Sequence, residues 1–399
     1  MTAEDLDAER AVEQAAEQTG LDDLGDDSWK EGLSRLVDAL RSEAALNELG
    51  ATLVGGELAG YLGDRMRIIE HRKEHPELVG VDVVPPIVIV GQGRTGTTIL
   101  HELLAQDPAT RVALTWEIDR PMPPPETATY DTDPRIAEVD ETLAGVDLVL
   151  PGFKSMHPMA AQLPQECVRI TAADFRSMIF PTQYRVPSYA GWLLHEADMA
   201  PAYRWHRMFL EHLQSRCPAR RWVLKSPGHL WALDALLGEY PNALLVQTHR
   251  DPLRIIASLS SLVARLRSLA SDDTSIPDAA ADFADNILDG LDRSVTARED
   301  GTVAAGRVVD VQFRAFMADP SRRSAPFTSG SDSSWNRARN SGCAGSSPPT
   351  RRTSTGSTRT PSARPVSTRV RCANGRAVTR STSTCRANNS VDARVRPVP

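Results

Sequence analysis

Several features that define common classes of protein are missing from this 399-residue sequence. It has no run of about 18 apolar residues, so we expect no membrane-spanning helix. The first residues are acidic where a secretory signal would be basic and then apolar, which predicts a cytoplasmic protein. None of the five cysteines has CxxC or metal-site spacing, so we expect neither a disulfide framework nor a bound metal.

Residues 321–399 lack lysine, glutamate, leucine, isoleucine, histidine and tyrosine altogether. This segment has 15 arginines and two aspartates, a formal charge of +13, together with 16 serines and 10 threonines. The other 320 residues carry 30 basic and 50 acidic side chains, a charge of −20. An acidic body of this kind argues against general nucleic-acid binding. Any anionic ligand must therefore find a local positive site there.

The apolar side chains of residues 321–399 are too few to offset the entropy that the chain would lose on folding. The composition therefore predicts a disordered tail. A natural Arg/Ser linker is one interpretation. A GC-rich gene read out of frame is the other, and the absence of every lysine and glutamate favours it. The break would then lie between Asp319 and Ser324.

A glycine-containing loop is the most informative feature that is present. Residues 87–98 read IVIVGQGRTGTT, an apolar strand pattern followed by three glycines and two threonines that open a helical pattern. This is the layout of a phosphate-binding loop, in which backbone N–H groups and a helix N-terminus attract an anion. A nucleotide triphosphatase needs lysine where Thr97 stands, and the cation of this loop is Arg94. These residues suit a terminal phosphate group that is bound but not transferred.

Before residue 321, the hydrophobic pattern divides the chain into two parts. Apolar residues at helical spacing predict a helical region over residues 1–80, including a helix over about residues 50–74. Strand and helix patterns then alternate over residues 81–320, which predicts an α/β domain with a P-loop-like parallel sheet flanked by helices. The predicted strands cover residues 87–90, 221–225, 243–247 and 308–312, and a proline-rich loop is predicted over 121–136.

Two further motifs follow the loop in the chain. Residues 248–258 read THRDPLRIIAS, in which Arg250 at a strand end precedes the helical Ser258 by eight positions. Residues 223–230 read VLKSPGHL. With the loop at Gly91–Thr98, these motifs resemble the sulfotransferases that use 3′-phosphoadenosine 5′-phosphosulfate, and most closely the bacterial branch with a long helical N-terminal region. The likeness covers about residues 15–320.

The resemblance implies transfer of a sulfuryl group from that donor to a hydroxyl of a small or lipid-like acceptor. A sulfuryl group carries less negative charge than a phosphoryl group, so a metal ion and the loop lysine are not needed. Lys225 ends a strand, where clefts form in α/β proteins, and is a candidate catalytic cation. By resemblance Arg94 stabilises the leaving phosphate. The implied donor-binding residues are Arg94, Thr95, Gly96, Thr97 and Thr98 for the 5′ end, and Arg250 and Ser258 for the 3′-phosphate.

The base that accepts the hydroxyl proton is open at this point. Some sulfotransferases use a glutamate beyond the helix that follows the loop, and Glu117 stands in the matching place. Others use a histidine further on, which His157 matches by its distance from the loop. Glu117 is the first choice. As a base its carboxylate must be ionised, and nearby Arg94 and Lys225 would favour the charged form. The remaining alternatives are Glu166 and His101, and each candidate also has a purely structural interpretation, a helix cap in the case of Glu117.

The resemblance fails in the C-terminal part. The family branch continues with a Lys-His-Gly-x-His-x-Tyr-type segment near the nucleotide, which residues 321–399 lack. Codons for Thr353 to Ser362 can be chosen so that a frame entered two bases later encodes Lys-His-Gly-Gln-His-Pro-Tyr. We therefore expect weak or lost activity. Two other functions stay open: a nucleotide-binding remnant without catalysis, and a P-loop kinase or other phosphotransferase, against which the missing loop lysine argues.

Overall fold

The computed structural model describes residues 2–320 and two short strands further along the chain. The α-helices are α1 Ala8–Thr19, α2 Ser28–Ser42, α3 Glu48–Glu74, α4 Thr97–Leu104, α5 Thr115–Asp119, α6 Pro134–Ala144, α7 Val146–Val149, α8 Phe153–Met156, α9 Cys167–Thr171, α10 Ile179–Gln183, α11 Pro187–His195, α12 Ala200–Gln214, α13 Leu233–Glu239, α14 Pro252–Arg267, α15 Ile276–Glu299 and α16 Phe313–Ala318. The strands are β1 Ile87–Val90, β2 Val223–Lys225, β3 Leu244–His249, β4 Val308–Gln312, β5 Val370–Arg371 and β6 Ala377–Val378. Short 3₁₀ helices cover Ala3–Asp5, Pro76–Leu78, Tyr130–Thr132, Ala172–Asp174, Pro227–Trp231 and Ala305–Arg307.

Strands β1 to β4 form one parallel sheet in the order β2-β1-β3-β4. Ile87 of β1 stands opposite Val223 of β2 and Leu244 of β3, and β4 joins the sheet by pairing with β3. All four side chains of β1 are apolar and buried, as expected for a central strand covered by helices on both faces. The predicted α/β class with a parallel sheet is therefore confirmed.

After β2, a 3₁₀ turn over Pro227–Trp231 precedes α13, which begins at Leu233. The loop expected over 121–136 is wrong at its end, since α6 begins at Pro134. Asp133 caps that helix by accepting a hydrogen bond from the N–H of Arg135 at 3.0 Å, and proline suits the first helical position.

The N-terminal helices α1–α3 pack mainly against residues 172–193, a part of the core that precedes β2 in the chain. Apolar side chains from both parts form one buried cluster that includes Leu33, Leu58, Phe175 and Phe180. Of the helical region, Ile68 packs in the cluster that covers one face of the sheet. The helical region and the α/β core belong to one compact unit. None of the helices in the described residues is both long and apolar enough to span a membrane.

A buried charge cluster also joins the two parts, and we call it the Asp174 cluster. It consists of Arg65, Asp174, Arg176 and Ser28. Asp174 is fully buried, and its carboxylate is 3.4 Å from Nη1 of Arg65, 3.0 Å from Nη1 of Arg176 and 2.5 Å from Oγ of Ser28. Arg65 also pairs with the exposed Asp26 at 2.8 Å. Every arginine of this cluster therefore has a carboxylate partner.

Only four described residues lie in the C-terminal segment. They form the antiparallel pair of β5 and β6, in which Val370 stands opposite Val378 and Arg371 opposite Ala377. The prediction of a disordered tail over residues 321–399 otherwise falls outside the described residues.

Candidate active site

The loop after β1 turns sharply, and its glycines permit the backbone angles that this turn needs. Gly91 has a φ of +143°, and a Cβ atom there would lie 2.2 Å from Oγ1 of Thr248. Gly96 has a φ of +88° and precedes the first residue of α4, while Arg94 takes a left-handed φ of +65°. Glycine tolerates such angles without a steric cost, so the loop can turn sharply between strand and helix.

Buried polar contacts hold the loop in place. The Thr95 hydroxyl is 2.5 Å from the carbonyl of Gln92 and 2.6 Å from Oγ1 of Thr248 on β3. Gln92 in turn donates to the carbonyl of Ile287 on α15 at 3.1 Å. The hydroxyl of Thr95 is therefore buried and stabilises the loop. Of the two threonines that open α4, Thr97 is buried and Thr98 is partly exposed beside the N–H groups of the first turn, which have no intrahelical partner.

The two predicted anion-binding segments are in direct contact. Nη1 of Arg250 donates to the carbonyl oxygen of Arg94 at 2.6 Å, and Nε of Arg94 donates to Oγ of Ser258 at 3.0 Å. Strands β1 and β3 are parallel neighbours, so the loop after β1 and the start of α14 after β3 meet at one edge of the sheet. The structure therefore brings together residues that are 164 positions apart in the chain.

The arginines at this edge are bound by neutral oxygens. Arg94 also donates from Nη1 to the carbonyl of Met156 at 3.2 Å. Burial and the neighbouring Arg250 both lower the pKa of Arg94, and among residues 2–320 no carboxylate forms an ion pair with it. Two adjacent guanidinium groups without a carboxylate between them are a favourable place for an anion.

A cleft opens beside this pair, with a volume of about 550 Å³. Arg250 stacks over the ring of Phe313 with 4.4 Å between the guanidinium carbon and the ring centroid, and Phe313 borders Gly96. Sequence reasoning missed Phe313, although its place directly after the fourth predicted strand could have indicated it. The lining residues in the described part of the chain are His249, Arg250, Asp251, Arg254, Gln312, Phe313 and Arg314.

A second cavity is lined by Thr98 of α4 and by His157, Glu166 and Lys225, among others. Lys225 ends β2 with only 2% of its side chain exposed, and its Nζ forms an ion pair with Glu166. The register places Lys225 opposite Ile89, two residues before the loop begins. The fold therefore delivers this lysine to the same edge of the sheet as Arg94.

His157 reaches this cavity from the end of α8. Burial is the main cause that lowers its pKa below 6.5; the positive charges of Lys225 and Arg94 act in the same direction, and Glu166 acts against them. The imidazole is therefore neutral at pH 7 and able to accept a proton. The neighbouring residue Met156 binds Arg94, which ties this segment to the loop.

Glu117, the first choice from the sequence, lies in a different environment. It is fully buried, and its Oε1 is 2.5 Å from Nη2 of Arg111. Its Oε2 accepts from the N–H of Leu114 at 2.8 Å and from the hydroxyl of Tyr130 at 3.1 Å. The partners expected from the sequence, Arg94 and Lys225, make their bonds elsewhere. This geometry is that of the structural alternative, a carboxylate that caps α5.

His101, another of the alternatives, is also buried. Its ring nitrogen Nε2 lies 3.1 Å from the carbonyl of Val223, and burial lowers its pKa to about 3. This histidine links α4 to β2 and does not line either cavity described above.

A third cavity is mostly apolar and lies between α9, α11, α12 and the turn after β2. Two of its lining residues, Cys167 and Ser226, directly follow Glu166 and Lys225 of the second cavity in the chain. The eight aromatic side chains between residues 175 and 209 are all buried, and of these Tyr203 lines the cavity. The apolar lining includes Met178, Leu193, Leu194, Met199 and Trp231.

Comparison with known proteins identifies the family of this chain. A model of the sulfotransferase family matches residues 85–324, well over half of the chain and all of the motifs described above. The chain therefore belongs to the sulfotransferase family, and its predicted membership is confirmed.

Two solved structures share the fold over most of the chain. The sulfotransferase STF1 from Mycobacterium tuberculosis H37Rv has a TM-score of 0.74 and 34% sequence identity, with 84% of this chain and 93% of that one covered. The sulfotransferase STF9 from Mycobacterium avium has a TM-score of 0.73 and 30% identity, with 86% and 88% covered.

Curated relatives include the omega-hydroxy-beta-dihydromenaquinone-9 sulfotransferase Stf3 from Mycobacterium bovis and from Mycobacterium tuberculosis. Each is 30% identical over 185 residues, which are 44% of this chain. The matched part also spans only 44% of the length of these curated relatives.

Proposed function

We propose that this protein transfers a sulfuryl group from 3′-phosphoadenosine 5′-phosphosulfate to a hydroxyl group of an acceptor. The observation that supports this most is the contact between the loop and the start of α14, through Arg94, Arg250 and Ser258. A donor with phosphate groups at both ends of an adenosine needs two anion sites on one surface. The two segments meet in this way at a single edge of the sheet.

The donor would bind side chains and N–H groups that form no ion pair among residues 2–320. The N–H groups at the start of α4, with the hydroxyl of Thr98, would hold the 5′ end, and Arg94 would stabilise the leaving phosphate. Arg250 and Ser258 would hold the 3′-phosphate. The adenine ring would have room in the cleft beside Phe313, whose ring face already packs on a cation.

We propose His157, the second choice from the sequence, as the base. It lines the same cavity as Thr98 and Lys225, and its pKa is lowered so that the neutral form prevails at pH 7. Glu117 is less suitable because both of its oxygens are engaged and no solvent reaches it. Lys225 would neutralise charge near the transferred group, and its partner Glu166 would keep it oriented.

We further propose a lipid-like acceptor. The printed name of Stf3 describes a menaquinone derivative as its substrate, and this chain has an apolar cavity lined by Cys167 and Ser226, the residues next in the chain to Glu166 and Lys225. The cavity measures about 30 Å³, so its side chains would move apart to admit an apolar chain whose hydroxyl faces His157.

Calorimetric titration with 3′-phosphoadenosine 5′-phosphate tests the donor site. We expect the wild-type chain to bind it, and Arg94→Ala and Arg250→Ala to bind about 100-fold more weakly, because each variant loses a charge-assisted hydrogen bond worth roughly 2–3 kcal/mol. Arg265→Ala is the matched control, since Arg265 lies on α14 but donates to the carbonyl of Pro151. Unchanged affinity in both test variants would overturn the assignment.

The tail supports one alternative, a nucleotide-binding protein without transfer activity. The family match ends at residue 324, close to the change of composition at residue 321. Nucleotide binding without transfer to any hydroxyl acceptor would select this alternative. Sequencing the gene would test the frameshift, which requires an open frame encoding a Lys-His-Gly-x-His-x-Tyr-type segment. Magnesium-dependent ATP turnover would instead indicate a phosphotransferase.

A further inference from the structure

Three metal-ligating side chains converge at the C-terminal end of α3, among residues that the proposed reaction does not use. They are His71, Glu74 and His75, and their ligand atoms all lie within 4.8 Å of one another. Positions i, i+3 and i+4 of a helix share one face, which explains the convergence. The spacing of the cysteines does not indicate this group, because it contains no cysteine.

The buried member of the group has an unused nitrogen. His71 is 8% exposed, and its buried Nε2 has no hydrogen-bond partner among residues 2–320. A buried polar atom without a partner costs free energy, which a bound ion would recover.

The second histidine has the support that metal-binding histidines commonly have. Nδ1 of His75 lies 3.1 Å from Oε1 of Glu77, so the ring can donate one N–H to a carboxylate and keep the other nitrogen for an ion. The ring centroids of His71 and His75 are 4.4 Å apart. The negative end of the α3 dipole and the carboxylates of Glu74 and Glu77 favour a cation here, while Arg216 opposes it.

We propose that His71, Glu74 and His75 bind one divalent transition-metal ion, and that Zn²⁺ fits best. Two imidazoles and a carboxylate are a ligand set of zinc, with water in the fourth position. The 3₁₀ turn Pro76–Leu78 follows it directly and leads towards β1, so the ion would fix the connection between the helical region and the sheet.

The test is a Zn²⁺ titration of the full chain without a histidine tag, stripped of metal and with its thiols alkylated. Competition with a chromophoric chelator gives the affinity, and thermal unfolding gives the stabilisation. We expect one ion per chain and a higher melting temperature with Zn²⁺. His75→Ala should weaken binding by at least about 100-fold, and Glu77→Gln, which removes only the partner of His75, by about tenfold.

His195→Ala is the matched control, because His195 is exposed and contacts Arg293 on a different helix. It should bind Zn²⁺ as the wild type does. His75 is the residue of choice for the test since it is partly exposed, and its replacement does not open a cavity as that of His71 would. Absence of stoichiometric binding, or equal affinity in wild type and His75→Ala, would overturn the proposal.

Discussion

The Asp174 cluster and the Arg94–Arg250 pair use the same side chain in opposite ways. In the Asp174 cluster, Arg65 and Arg176 both bind one buried carboxylate. At the edge of the sheet, Arg94 and Arg250 bind neutral oxygens and lie next to each other. Burial lowers the pKa of both Arg65 and Arg94, but nearby carboxylates counteract this for Arg65, whereas Arg250 adds to it for Arg94.

This difference separates arginines that stabilise the fold from arginines that, in the proposed function, bind the donor. A buried charge with its partner in place stabilises the native state only as long as both are present. A cation that is desolvated and lies beside another cation is stabilised when an anion binds between them. The comparison therefore predicts that stability and ligand affinity depend on different arginines.

The largest effect is expected when the Asp174 cluster is broken. Asp174→Asn leaves Arg65 and Arg176 buried without their shared carboxylate, and we expect the free energy of unfolding to fall by about 3–5 kcal/mol. Urea unfolding followed by circular dichroism measures this. Asp26→Asn is the control: it removes the partner of Arg65 that is 60% exposed and should cost less than about 1 kcal/mol. Equal losses in both variants would contradict the comparison.

The same contrast between engaged and available groups applies to Glu117 and His157. His157→Gln should lower kcat by about 100-fold or more, because the acceptor hydroxyl loses its base, while donor affinity changes little. Glu117→Gln should mainly lower stability, since it weakens a buried pair with Arg111. Steady-state kinetics and thermal unfolding of both variants separate the two roles. A large loss of kcat in Glu117→Gln with an intact fold would restore the first choice from the sequence.

The pH dependence of the reaction sharpens this assignment. The base must be neutral, and the pKa of His157 lies below 6.5. We therefore expect kcat/KM to be constant near pH 7 and to decrease only below pH 6.5, as His157 becomes protonated. His157→Gln should lose this acidic limb. Circular dichroism at each pH is the control, because the lowered pKa values of the buried His101, His206 and His229 make the unfolded state bind more protons below pH 6.5 and so reduce stability.

The smallest effect is expected for the stability of Arg94→Ala without nucleotide. Removing one of two neighbouring cations relieves repulsion and loses hydrogen bonds to neutral oxygens, so the melting temperature should stay within about 2 °C of the wild type. The protection that 3′-phosphoadenosine 5′-phosphate gives to the wild type should be absent. A thermal shift assay measures both. Strong destabilisation of the free variant would place Arg94 with the structural arginines.

The sequence predicted the sheet because each strand has a pattern that depends only on neighbouring residues. Ile87–Val90 is apolar at every position, and glycines mark where it ends. The motifs predicted that Arg94 and Ser258 bind the same donor. Their direct contact was not predicted, because it depends on β1 and β3 being neighbouring parallel strands. The base did not follow, because the environment of Glu117 depends on Arg111 and Tyr130, whose side chains meet it only in the fold. The Asp174 cluster was missed for the same reason, since Arg65 is 109 positions away.

Different parts of the chain build the proposed donor site and the apolar cavity, and this has an evolutionary consequence. The proposed donor contacts come from loops at the ends of β1 and β3, whereas the apolar cavity is built largely by helices between residues 167 and 203. On the proposed assignment of the acceptor to this cavity, mutations in those helices would change which acceptor is bound while the proposed nucleotide contacts stay intact. Acceptor preference and donor binding would then vary independently, because they depend on separate stretches of the chain.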